Sequence, residues 1–182
     1  MKRILFFSLF LLPLICSGQQ FPPDIHRIEA DGIVADRDIV PTIPAEDVWQ
    51  TVLKTTIKLG QESGKTFDGT TDINEHYSFE IRSTPLHRYQ GNNWFTTADI
   101  RVEIWLSDSK VRIRTSCGRI EVNGTSAFST SVSYDPTKAA PVAEKHDAFK
   151  LSIPKKAAIA TYEALIPALN RVLNTYHQEL VK

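Results

Sequence analysis

A chain of 182 residues, 42% of them hydrophobic and carrying 21 basic and 21 acidic side chains, is one domain's worth of sequence and long enough to bury a real core. The balanced charge argues against a nucleic-acid binder, which carries a strong basic excess. Of the two cysteines, Cys16 falls in an N-terminal leader, so Cys117 is left without an intramolecular disulfide partner and stability must come from packing.

Lys2 and Arg3 form a short positive region, Ile4 to Ile15 an almost uninterrupted apolar run, and Ser17-Gly18 the small residues of a cleavage site. The run is shorter than the about 20 residues of a spanning helix, so residues 1–18 read as a signal peptide and the remainder as an exported, periplasmic or envelope-associated chain without stable membrane insertion. Lipidation at Cys16 is the competing reading, but Ile15 stands where that motif requires a small residue. Cleavage after Gly18 leaves 164 residues with 19 basic and 21 acidic side chains, a formal charge of −2.

Residues 19–31, with Pro22-Pro23 and no period, read as an extended lead-in to a single α+β domain at 32–182. Gly32 to Val40 reads as a strand ended by Pro41 and Pro44. A helix follows, with Glu46 and Asp47 at its positive end, Val48, Val52, Thr55/Thr56 and Leu59 at helical spacing, and Gly60 as its C-cap. Two short strands are expected between Lys65 and Arg82, turning at Thr71 to Glu75, and a long loop from Thr84 to Asn93 around Pro85 and Gly91.

The period-2 run Ile100, Val102, Ile104, Leu106 and its return Val111, Ile113, Thr115, Cys117 predict an antiparallel hairpin turning at Ser107 to Lys110. Its register sets Glu103 opposite Arg114 as an ion pair and Trp105 opposite Arg112 as a cation–π contact. Apolar residues then switch parity to Ile120 and Val122, which predicts a β-bulge at Cys117-Gly118. Asn123-Gly124 reads as a turn into an edge strand within Thr125 to Tyr134, and matches a glycosylation sequon that the turn explains by itself. A loop fills Asp135 to Pro154. The last element is a helix from Lys155 to Val181 with the stripe Ile159, Tyr162, Ile166, Leu169, Leu173, Tyr176 and Leu180, kinked or broken at Pro167. A coiled coil of about three heptads with an internal proline is the weaker reading of that stripe.

Strand, helix, four or five antiparallel strands and a long C-terminal helix is therefore the expected order, with both helices on one face of the sheet. The passage from Ile39-Val40-Pro41 to Trp49 and the hairpin Asp99 to Val122, with Ser109-Lys110-Val111-Arg112-Ile113-Arg114, resemble a family of small exported Bacteroidetes domains of unknown function with a TATA-binding-protein-like fold. The resemblance covers about two thirds of the mature chain. It implies shape and carries over no catalytic residue. Helix-grip domains, which wrap a curved sheet around a C-terminal helix and often enclose an apolar ligand, resemble the same order.

Chemistry is sparse. His26, His76, His87, His146 and His177 are scattered without ligand spacing, so no metal or cofactor is expected. Cys117 falls on the inward side and reads as an inert thiol. The serine of Gly60-Gln-Glu-Ser-Gly64 is one place away from a nucleophile elbow. Asp99, Glu103 and Asp108 read as solvated partners of nearby cations, and no catalytic residue is assigned. What remains is the outward face of Arg101, Trp105, Arg112 and Arg114, residue types enriched at protein interfaces, with His87 as the best loop candidate. The sequence points to a non-catalytic binding module with a protein partner in the cell envelope. A carrier of a small apolar ligand between sheet and C-terminal helix is the alternative, and a hydrolase near His87 a weaker third.

Overall fold

The computed structural model describes residues 23–30, 32–62, 68–72, 76–89, 94–107, 109–124, 131–138 and 155–182. The leader at 1–18, the turn centre at 73–75, the chain at 125–130 and most of the expected loop at 135–154 lie outside the described residues.

The elements are β1 (Arg27–Glu29), β2 (Gly32–Ile39), α1 (Ala45–Glu62), β3 (Asp68–Asp72), β4 (His76–Tyr89), β5 (Trp94–Leu106), β6 (Val111–Cys117), β7 (Ile120–Gly124), β8 (Ser131–Tyr134), a 3-10 turn (Pro136–Lys138) and α2 (Lys155–Leu180). Among the described residues the eight strands form one sheet in the order β1-β2-β6-β5-β4-β3, with β7 paired to β5 and β8 to β7. Every pairing is antiparallel. The α+β class and the expected order hold, with more strands than anticipated. β1, expected as part of the extended lead-in, pairs with β2.

Alternation decides which way the sheet faces. Ile33, Ala35 and Ile39 of β2, Ile100, Val102 and Ile104 of β5, and Val111, Ile113 and Cys117 of β6 join Val52 and Leu59 of α1 and Tyr162, Leu165, Leu169, Leu173, Tyr176 and Leu180 of α2 in one buried core. Both helices therefore cover the same face. Each such side chain contributes on the order of 1.5–3 kcal/mol by leaving water, so this layer holds the fold. Two threonine hydroxyls inside it are paired: Thr56 Oγ1 lies 2.6 Å from Tyr176 Oη, and Thr115 Oγ1 donates to the Ala35 carbonyl at 3.2 Å.

Four expectations change. Gly60 is buried inside α1 rather than capping it, and the helix runs on to Glu62. β4 runs through Pro85 to Tyr89 where a loop was expected, since its register with β5 slips after Ile81 and after Pro85 and so accommodates the imino acid. Asn123-Gly124 pairs in β7 with Phe95 and Trp94 instead of turning. α2 continues unbroken through Pro167, and Leu165 and Val172 are buried while Ile166 is only half-buried, because the apolar stripe is wider than a strict three-four seam.

The expected bulge is present. Arg101 pairs with Ser116 on β6, yet Ala98 pairs with Ile120 on β7, so the β6–β7 side carries one extra residue at 117–119. Gly32 crosses this point at φ +147°, and a Cβ there would stand 2.3 Å from the Cys117 carbonyl oxygen. The ends are clipped to the helices: Asn170 Nδ2 donates to the Ile25 carbonyl at 2.8 Å while Ile25 N–H donates to Asn170 Oδ1 at 3.1 Å, and Thr42 N–H donates to the Leu180 carbonyl at 2.9 Å. Gly32→Ala, which adds both a clash and a disfavoured φ, is expected to destabilise the fold by about 3 kcal/mol or more, read from urea denaturation midpoints.

Candidate functional site

On the face away from the helices, mostly polar side chains occupy the outward positions of β1, β2, β4, β5 and β6, the buried Val34 and the half-buried Trp105 being apolar exceptions. Register builds them into rows. One row runs Asp38, Arg112, Trp105, His76 across β2, β6, β5 and β4, and the next runs Asp36, Arg114, Glu103, Ser78. Arg101 of β5, opposite Ser116, follows in the third.

The structure thus brings Arg101, Trp105, Arg112 and Arg114 onto one surface, as their spacing predicts. His87 is elsewhere. It lies on β4 paired with Thr96, eleven residues from His76, which at a strand's rise places it on the order of 35 Å along the sheet. Its backbone N–H donates to Thr96 Oγ1 at 3.1 Å. The sequence reading put His87 in a loop because Pro85 suggested a break.

Each arginine is held by acids. Arg112 Nη2 donates to Asp36 Oδ2 at 3.0 Å and its Nε is 3.7 Å from Asp38 Oδ1. Arg114 Nη2 donates to Glu29 Oε2 at 2.6 Å, with Nε 3.8 Å from Glu103 Oε2, so the expected Glu103–Arg114 pair is the longer of its two. Arg101 Nη2 reaches Glu103 Oε1 at 3.2 Å, and Lys110 Nζ reaches Asp38 Oδ2 at 2.6 Å. The expected contact of Trp105 with Arg112 gives way to a stack on His76, with centroids 4.9 Å apart and planes 16° from parallel. The cause is β2: its two aspartates, invisible in the hairpin alone, draw the guanidinium away. Trp105, Ser107, Lys110, Arg112 and Arg114 line an open hollow of about 400 Å³ on this face.

Asp36 is the hub of the lattice. Burial alone would raise its carboxyl, but hydrogen bonds from Arg27 and Arg112 outweigh that and hold it below its ordinary value. Exposed ion pairs contribute about 0–1 kcal/mol each, so the lattice adds little stability and mainly neutralises the face.

Two further places matter: the sequence reading did not single out the first, and of the second it gave only the general alternative of a ligand space between sheet and C-terminal helix. Arg37 sits on the helix side of β2, where its Nη1 donates to Asn174 Oδ1 at 2.7 Å while its buried Nη2 has no hydrogen-bond partner. Burial lowers its pKa, opposed by Asp24. The signal was available, since Arg37 interrupts the inward alternation Ile33, Ala35, Ile39. The second is a cleft of about 440 Å³ between α2 and β4, lined by Leu59, Ile81, Ser83, Thr84, Pro85, Ile100, Pro167, Ala168, Arg171 and Val172. Periodicity carries no trace of such a space.

Among the described residues no three His, Cys, Asp or Glu side chains gather as metal ligands. Cys117 is 1% exposed, and burial pushes its thiol up to about 11. Iodoacetamide at about pH 8 is therefore expected to leave Cys117 unmodified in the native protein and to label it in denaturant, as read by intact mass. For Asp36 the sign is that of a depressed acid: its pairs stabilise above the unfolded value and are lost as pH falls through the folded one. Between about pH 5 and pH 3 the wild type is expected to lose more stability than Asp36→Asn, measured by urea midpoints at each pH.

No family model matches the chain, and no curated protein matches its sequence. Solved structures do match. A TBP-like protein from Parabacteroides distasonis superposes with a TM-score of 0.58 at 10% identity, covering 82% of this chain and 96% of that one. A DUF4468 family protein from Bacteroides ovatus superposes with a TM-score of 0.60 at 6% identity, covering 85% and 90%. At such identities the likeness is one of shape: this chain has the TBP-like α+β fold anticipated from its strand–helix passage and its hairpin.

Proposed function

We propose that the chain is an exported, non-catalytic binding module that meets a protein partner in the cell envelope through the sheet face centred on Trp105. The observation that carries this reading is the half-buried Trp105, stacked on His76 and set among arginines that are each held in place by an acid. Tryptophan and arginine are the side chains that most often dominate binding energy at protein interfaces, and pre-paired arginines lose little freedom on docking. Charge complementarity favours a protein of mixed charge, because acids already neutralise these cations and a polyanion would have to displace them. Lys2-Arg3, the apolar run and Ser17-Gly18 support export, and the buried, high-pKa Cys117 supports a role without nucleophilic chemistry.

The second reading, a carrier of a small apolar ligand between sheet and C-terminal helix, is favoured by the cleft beside Pro167.

A photo-crosslinking side chain placed at Arg101 is expected to trap one defined partner in intact cells, and Trp105→Ala should cut that yield about tenfold or more while leaving the melting temperature unchanged. Equal trapping from Lys54 on α1, or indifference to Trp105→Ala, would sink the sheet-face reading. The extracted protein should have the mass of a chain beginning at Gln19.

A further inference from the structure

We infer that Glu103 is a toggle between Arg114 and His76, thrown by protonation of His76, which makes docking at Trp105 depend on pH. The consequence for docking rests on the sheet-face reading and specifies how that surface is regulated.

Glu103 stands on β5 midway between two side chains that it does not hold. Its Oε1 is 3.9 Å from His76 Nε2 on β4, and its Oε2 is 3.8 Å from Arg114 Nε on β6. Both gaps exceed hydrogen-bond length. These are two of the four buried side-chain nitrogens that lack a hydrogen-bond partner among the described residues, and both face the same carboxylate. A shift of about 1 Å would bring either into bonding range. Because β4 and β6 flank β5, each step toward one is a step away from the other.

His76 decides the side. A guanidinium stays charged throughout and pulls constantly, whereas histidine is the side chain that ordinarily changes charge between about pH 5 and 8. The imidazolium carries a proton on both nitrogens, so Nε2 must then donate, and Glu103 Oε1 is the carboxylate oxygen in front of it. The other charged groups around the ring come from each neighbouring element. The ladder sets Asp72 of β3 opposite His76, and Glu80 follows on β4. On β5 the exposed Arg101 donates to the same Oε1 at 3.2 Å and can follow it. On β6, Arg112 is held by Asp36 and Asp38 and Arg114 by Glu29.

The stack carries the state of the proton to the surface. The His76 and Trp105 ring centroids are 4.9 Å apart with planes 16° from parallel. A charged ring is held on the indole by cation–π attraction that the neutral ring lacks. Trp105 pinned in that way gives up less freedom when it docks, so acid tightens binding.

Side-chain NMR of the purified protein from about pH 8 to pH 5 follows the Trp105 indole N–H and the Arg114 Nε–H. Both should move along one titration curve. His76→Phe, which keeps a ring on the indole without its charge, should abolish both movements, and Glu103→Gln should abolish that of Arg114 and spare that of Trp105. An Arg114 signal indifferent to pH, or still moving in His76→Phe, would overturn the toggle. A photo-crosslinking side chain at Ser107, which lines the Trp105 hollow, should trap the partner from the envelope fraction about threefold better at about pH 5.5 than at about pH 7.5, and equally at both with His76→Phe. Equal trapping by the wild type would overturn the regulatory role. Trapping at neither pH would overturn the sheet-face reading itself, while the NMR arm, which needs no partner, still decides the toggle.

Discussion

Strand β5 passes unbroken between two neighbours that both slip register at the level of Asp99. On one side the β6–β7 line gains a residue at 117–119, and on the other β4 gains one between Ile81 and Thr84. Paired slips at one level bend a sheet, because each bulge sharpens the local twist of its strand. Asp99 ties the level together by accepting the Ser83 N–H, and its charge helps raise the Cys117 thiol. Gly32 crosses at the same height with no space for a side chain. Core, cleft and open face all follow from this line.

The two faces of the sheet obey different physics. Toward the helices, burial of branched and aromatic side chains contributes the bulk of the stability, and the buried Thr56 hydroxyl is matched by that of Tyr176. Away from the helices, ion pairs between neighbouring strands set charges of both signs side by side at little net gain. Their effect is to leave acids and bases interleaved around Trp105, so that this face carries no block of like charge. Arg37 belongs to neither pattern: it is a cation on the core side, anchored on Asn174 of α2 beside an N-terminal segment that Asn170 clips by its backbone.

Local pattern sufficed for the β5–β6 hairpin. Period-2 alternation with a polar turn fixes register, because a slip of one residue would expose Ile100, Val102 and Ile104 together. The parity switch to Ile120 foretold the bulge for the same reason. The reading failed where a distant strand intervened. Arg112 was assigned to Trp105 because only the hairpin was in view, and β2 then supplied Asp36 and Asp38. Pro85 suggested a loop because an imino acid in a central strand forfeits a ladder bond, whereas the register slips around it let β4 continue.

By itself the sequence determined the α+β class, the element order, the inward and outward faces of the central hairpin and the co-location of Arg101, Trp105, Arg112 and Arg114, since alternation and helical spacing are local properties written in consecutive residues. Tertiary structure alone decided the partners of those side chains, the placement of His87 far from them, the burial of Arg37 against α2 and the cleft at Pro167. Each of these depends on which segments distant in the chain become neighbours, and no periodicity within one segment encodes that.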